Sequence, residues 1–598
     1  MTSHQMRDNA SRPPLPLLAD LTHALYGGRL AETHDRWRGL FGSAPFSFRE
    51  GLTREERIAL SYERLGLVRA AVPGRMERFV ADAAELSALH EWAGVDPGMA
   101  TVSSIHFNLF LGSLVDHGRT GDDLAGFTDR IGTFLCTELG HGNDAARCET
   151  TATFDRESGG FVLDTPTPGA AKFMPNTSSA GGAKAAVVAA RLLVDGTDHG
   201  IFLFLTPLSD ADGVHLRGIE VRELAETASA PVDHCVTTFR GVRLPYEAML
   251  QGDHGRLTRE GEFSSAVGSP RRRYLHSIGR VTMGKLCMSG YSLGATRHAL
   301  AVTMRLSHDR ITSSMTTRAT QPLIEHRSHH APLLEAVATT YAATLLHRSV
   351  VTRWTRAADG TDEDRAACER DIAVAKTWIT WEARRTMTAC RERSGARGLF
   401  LGHGIAMQLA ANEGTITAEG DNQVVAAKAG GEMALGAIAL KPPSEILPGE
   451  RLLTDPQFQL DLLADVERIW HDRASEERHQ PAPSASARWN NIVGPALTLV
   501  DAHVRRRAGE EMLTAAARAG SDQGRRLLLD LFGLFALRQV AAHSGDLLAE
   551  GRMTADQVRN LYKVTGKLLD ALVPHSLSLV EGFAVPEALL ESNSMLNP

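Results

Sequence analysis

Residues 186–206, AVVAARLLVDGTDHGIFLFLT, decide the architecture. Two apolar runs, Ala186–Leu193 and Ile201–Thr206, flank Asp195-Gly196, a dipeptide with turn chemistry. The same texture extends to both sides. Thr150–Phe154, Phe161–Leu163 and Cys235–Phe239 are short runs rich in β-branched and apolar residues, and Ser158-Gly159-Gly160 supplies a turn between the first two. Residues 150–250 therefore predict a small antiparallel β domain.

Outward from this block the period changes. Upstream, Ile58, Leu65, Val68, Val72 and Phe79, then Ala83, Leu86 and Leu89, recur at near-helical spacing. Pro73-Gly74 breaks that run into two helices. Downstream of Pro270, His276–Met304 reads as a helix dense in Gly, Ala and Ser, followed by Leu333–Val350 and Ala373–Cys390. Arg473–Ala487 (RASEERHQPAPSASA) combines charge, Pro and Ser and reads as a linker. Beyond it Leu527, Leu528, Leu531, Phe535 and Ala542 mark an apolar helical face. The predicted fold is α+β and mostly α: an N-terminal helical domain (1–135), a central antiparallel β domain (136–265), a helical-bundle domain (266–472), a linker (473–489) and a C-terminal helical domain (490–598). Strands do not alternate with helices, and neither GxGxxG after a strand nor GxxxxGK[ST] occurs, so any nucleotide must be held without a Rossmann domain or P-loop.

The chain has 598 residues, too many for one hydrophobic core. Its 64 basic and 71 acidic residues leave a net charge of −7, which gives no footprint for nucleic acid. A local basic pocket for an anionic small ligand is compatible with that balance. The six cysteines lie far apart and read as reduced thiols. Residues 1–14 are polar with no apolar core, so no secretory signal is expected. The end, Ser594-Met595-Leu596-Asn597-Pro598, is not a Ser-Lys-Leu address. Leu527–Leu537 contains Asp530 and is too short to span a bilayer. Together these features predict a cytoplasmic protein without a membrane span.

Several motifs now fall into order. Thr137-Glu138-Leu139-Gly140-His141-Gly142, Glu149–Asp155, Thr165-Pro166-Thr167, Lys172-Phe173-Met174-Pro175, Glu419-Gly420-Asp421-Asn422 and Leu579-Val580-Glu581-Gly582-Phe583 resemble, in sequence order, the motifs of the acyl-CoA oxidases. The resemblance covers about residues 15–590. TELGHG is its specific element, whereas EGDN alone is weak.

The resemblance implies FAD held between the β domain and the bundle domain of a homodimer, with the partner subunit contributing. It implies removal of two hydrogens from an acyl-CoA, or an acyl-carrier-protein thioester, with electrons passed to O2. The expected pathway is fatty-acid β-oxidation. Glu419 corresponds to the family's catalytic base, with Gly420 and Asp421 at the substrate. Thr137, Gly142, Asn176, Thr177, Arg310, Gly395 and Gly398 correspond to cofactor-binding positions. Asn176-Thr177 stands where the peroxisomal pattern has Gly-Gly, which resembles a bacterial branch. Ile311 replaces the second arginine of an RRxFG-like run, leaving Arg310 to meet the diphosphate. Losing a charge-assisted contact weakens cofactor binding.

The chemistry suits the residues. The α-proton of a thioester is a poor acid, and removing it needs a positioned base and stabilisation of the developing enolate. A carboxylate serves if a closed apolar site raises its pKa. Two other readings stay open: an acyl-CoA dehydrogenase with another electron acceptor, and a catalytically weak, FAD-poor partner subunit. Asp421 and Asn422 read as a second catalytic pair or as loop-shaping residues. Arg271-Arg272-Arg273 reads as a CoA phosphate contact or a solvated helix start. The histidines of 326–330 read as helix surface, and no metal is expected.

Overall fold

The structure is a computed structural model that describes residues 15–593, 595 and 596, apart from 126, 128, 315–318, 358 and 359. The N-terminal residues 1–14 and three of the final five residues, on which two of the expectations above fall, lie outside the described residues. The chain forms two compact units, one of residues 44–291 with 413–421, the other of residues 1–43, 292–412 and 422–598.

The first unit holds the two larger sheets. Its main sheet comprises β1 (Ile131–Leu135), β2 (Thr151–Asp155), β3 (Gly160–Asp164), β5 (Lys184–Val194), β6 (Thr197–Pro207) and β9 (Val242–Leu244). A second, three-stranded sheet is ordered β4 (Lys172–Asn176), β8 (His234–Phe239), β7 (Ile219–Glu223). The β5–β6 hairpin forms where expected. Val194 pairs with Thr197 across Asp195 (φ 49°) and Gly196 (φ 77°), both left-handed, the backbone a two-residue type I′ turn requires. β5 is a central strand, with β6 on one edge and β1 and β2 on the other, and because it is buried on both faces it reads as a continuous apolar run.

Two details depart from the expected antiparallel domain. β1 and β2 both run parallel to β5, while the remaining strand pairs of these two sheets are antiparallel. The sheet also begins at Ile131, ahead of the expected boundary at 136. Helices precede it, and Arg54–Ala71 and Met76–Ala81 are separated at Pro73-Gly74 as predicted. The expected helix from His276 is two: Pro270–Ser277 stops at Ile278-Gly279, and a new helix runs over Arg280–Asp309. Residues 97–116 are helical, long and apolar enough to cross a membrane, but 78% of that window is buried inside the unit, where it serves as a core helix.

The second unit is helical. Long helices span Arg327–Arg356, Asp362–Arg393, Pro456–His479, Ala485–Ala517, Asp522–Ala542 and Ala555–Leu572. The stretch read as a linker, 473–489, is largely helix. One helix continues to His479 and the next starts after Ser484, whose hydroxyl accepts from the Ala487 N–H as an N-cap. Only 480–484, with Pro481 and Pro483, breaks the helical backbone.

Candidate active site

The TELGHG segment leaves β1 and divides its labour residue by residue. Glu138 is buried and acts as a clamp. Its carboxylate accepts from Lys172 Nζ (3.0 Å), the Thr150 hydroxyl (2.6 Å), and the Thr150 and Glu149 N–H groups (2.9 and 2.7 Å). Burial by itself raises the Glu138 pKa, but the Lys172 charge and these donors outweigh it and hold the group at about 2. Gly140 permits a close backbone crossing: a Cβ there would lie 3.2 Å from Gly169 Cα. His141 Nε2 lies 2.7 Å from Glu149 Oε1, and the other Glu149 oxygen accepts from Thr167.

The clamp leaves Thr137 exposed. Its carbonyl accepts from the Phe173 N–H, and among the described residues its hydroxyl has no partner. Gly142 is also exposed, with open space where a Cβ would stand. Asn176 and Thr177 differ. Both are buried. Asn176 accepts from Thr133 (2.6 Å) and donates to Tyr62 (3.1 Å), and Thr177 bonds Thr237 (2.7 Å). Their side chains belong to the interior of the β structure, so only backbone atoms are left to meet a ligand there.

Glu419 follows the helix Ile405–Thr417 and belongs to the same unit. It sits at φ 58° and Gly420 at φ 95°, so two consecutive residues are left-handed. For a non-glycine residue this is uncommon and is held only by its surroundings. The Glu419 side chain lies on the helix Arg280–Asp309 at Gly284, where its carboxylate fills the place of a missing Cβ. Cys287, one turn along that helix, and Cys136, beside Thr137, complete the neighbourhood. Burial pushes both thiols up, and the Glu419 charge adds to the rise in each. Tyr274, within Pro270–Ser277, brings its hydroxyl to 3.6 Å from Cys136 Sγ. The geometry thus gathers Glu419, Gly284, Cys287, Cys136 and Tyr274, of which only Glu419 was singled out from the sequence as a site residue.

Asp421 stays with Glu419 and Gly420 in the β-containing unit, whereas Arg310, Gly395 and Gly398 lie in the helical unit. Arg310 is exposed and lines a cavity of about 320 Å³ with Leu306, Asp309, Ala396, Arg397, Met595 and Leu596. Gly395 is left-handed (φ 61°), and a Cβ on it would meet Arg310 Nη1 at 3.4 Å. Gly398 is buried against its own chain, 2.7 Å from the Arg391 carbonyl by the same measure. Ile311 is exposed on a strand, Ile311–Ser313, that pairs with Thr320–Pro322. Asn422 is buried: it donates to Thr380 Oγ1 (2.8 Å) and accepts from Lys376 Nζ (2.8 Å), which makes it an anchor of its helix. His326, His329 and His330 go to separate partners: Thr312, Ser307 and the Ile324 carbonyl. In the β-containing unit, Arg273 is taken up by the His199 and Val267 carbonyls, while Arg271 and Arg272 are exposed.

Two family models match the chain: "Acyl-CoA oxidase" over residues 464–593 and "Acyl-CoA oxidase, C-alpha1 domain" over residues 279–432. The chain belongs to the acyl-CoA oxidase family. Acyl-coenzyme A oxidase 2, peroxisomal, of Arabidopsis thaliana is 24% identical over 565 residues, 88% of this chain and 81% of the relative. Acyl-coenzyme A oxidase 3, peroxisomal, of the same plant is 24% identical over 482 residues, 77% and 70% of the two chains. Acyl-CoA oxidase 1 of Yarrowia lipolytica shares the fold with a TM-score of 0.83 at 20% identity, covering 97% of this chain and 92% of that one. So does acyl-CoA oxidase-2 of Caenorhabditis elegans bound with FAD, ascaroside-CoA and ATP, at TM-score 0.81 and 16% identity, covering 98% and 93%. The expectation of a cytoplasmic protein is overturned by the plant relatives, which are named peroxisomal. The bacterial branch read from Asn176-Thr177 is likewise not borne out.

Proposed function

We propose that the chain is an FAD-dependent acyl-CoA oxidase that converts an acyl-CoA and O2 to the trans-2-enoyl-CoA and H2O2, with Glu419 as the base. The observation that carries the base assignment is the Glu419 carboxylate, presented from a left-handed turn and set against the helix at Gly284. A side chain fixed from both ends is what proton abstraction from a weak carbon acid demands. Glu419 takes the proton from the carbon next to the thioester.

The residues present fit the cofactor. Arg310 and Arg397 bring two guanidinium groups to one cavity, the donor chemistry a diphosphate calls for, and Gly395 brings the backbone close to Arg310. The exposed hydroxyl of Thr137 is available to the flavin ring. FAD, when bound, supplies the acceptor for the two electrons that leave with the β-hydrogen. A homodimer belongs to the proposal: Leu399, Phe400 and Leu401 are 61%, 63% and 54% exposed, a run of apolar surface directly after the cofactor-binding segment.

The test is turnover in air. Purified protein loaded with FAD and given a saturated acyl-CoA, with no other acceptor, should yield enoyl-CoA and peroxide in equal amounts. Product that forms only when an electron acceptor is added would make it a dehydrogenase, and failure to take up FAD would remove the proposal.

A further inference from the structure

Gly284 stands inside the helix Arg280–Asp309 and is buried. Glycine is a poor choice there, because it is a weak helix former and its φ is not left-handed, so conformation does not call for it. Space does. A Cβ at 284 would overlap the Glu419 carboxylate, with Oε2 2.7 Å away and Cδ and Oε1 closer still, where real Cβ contacts stay above 3.0 Å. Gly290 in the same helix gives the contrast. Its missing Cβ would meet the Ser87 carbonyl at 3.0 Å, so that glycine lets two helices pack. What fills the space at Gly284 is the reactive end of a side chain.

We propose that Gly284 is a positioning residue that sets where the Glu419 carboxylate stands. The proposal rests on Glu419 being the base. The left-handed backbone at Glu419 gives the side chain its direction, and the absent methyl at 284 gives the carboxylate its seat. Cys287, one turn further, marks the same face: burial and then the Glu419 charge push its thiol up.

The carboxylate is the far end of a flexible side chain, so a methyl at 284 displaces it without forcing the helix to move. The fold is therefore spared and the chemistry is not. A misplacement of about 1 Å costs on the order of 10²-fold in rate. Gly284→Ala should keep its FAD, unfold at no lower temperature than the parent, hold KM within about threefold, and lose about 10²-fold in kcat. Glu419→Asp, one methylene shorter, clears the added methyl. It should therefore cost less in the Gly284→Ala background than in the parent, a coupling that a purely structural glycine would not show. Full kcat in Gly284→Ala, or an equal cost of Glu419→Asp in both backgrounds, overturns the proposal. A fully active Glu419→Gln removes the base assignment and the positioning role with it. A fully active Gly284→Ala beside an inactive Glu419→Gln removes the positioning role alone.

Discussion

Lys172 Nζ lies 3.0 Å from Glu138 Oε1, and both side chains are shut away from solvent, at 0% and 1% exposure. This pair joins the segment after β1 to β4 and so fixes the loop on which Thr137 is displayed. Lys172 also donates to the Ala189 carbonyl on β5 (2.7 Å), which ties the two sheets of the unit together. Removing one partner of a buried pair leaves an unpaired charge and costs about 3–5 kcal/mol. Lys172→Met should lower unfolding free energy by that amount in a denaturant titration. A loss under about 1 kcal/mol, the scale of a surface pair, would contradict the clamp.

Acid should destabilise this unit in two legs. Burial, then the nearby Arg69 charge, lowers His106 from 6.5 to about 3, and burial lowers His90 to about 4. Both folded values lie below the ordinary one, so the unfolded chain takes up these protons first. Their contribution is whole above about pH 6.5 and is lost as pH falls toward 4 and 3. Glu138, depressed from 4.5 to about 2, adds a second leg below about pH 4.5. His106 Nδ1 accepts from the Gly132 N–H at 2.9 Å. His106→Asn keeps an acceptor and removes the titration, so stability should fall less steeply between pH 6.5 and 3. An unchanged slope in unfolding measured across that range would count against the assignment.

Arg310 should decide how firmly the flavin is held. A charge-assisted hydrogen bond contributes about 1.5–3 kcal/mol, or roughly 10- to 150-fold in affinity. Arg310→Met should weaken FAD binding on that scale, read by titrating flavin-free protein and following flavin fluorescence. Arg310→Lys should recover part of it. Binding as tight as the parent in Arg310→Met would shift the role to Arg397 or elsewhere.

What the sequence disclosed was what local chemistry decides. The Asp195-Gly196 hairpin and the break at Pro73-Gly74 follow from backbone preferences within a few residues. β1 is not legible locally, because the five residues Ile131–Leu135 become a strand through parallel pairing with β5, more than 50 positions away. The linker was misplaced because charged surface residues such as Glu476, Glu477 and Arg478 are good helix formers, and only the prolines of 480–484 carried the break. At the site, family motifs pointed to Glu419, Thr137 and Arg310, but not to what stands opposite them. Nothing in the string distinguishes Gly284 from Gly290, since the difference lies in which atom faces each one. Asn176 and Thr177 follow a recognisable motif, yet their side chains are taken up by Thr133 and Thr237.

Glu419→Gln keeps the shape of the side chain and removes its basicity. It should retain bound flavin, seen as an unchanged flavin absorbance per protein, and lose about 10²–10⁴-fold or more in acyl-CoA turnover. Parent-level turnover with flavin bound would show that Glu419 is not the base.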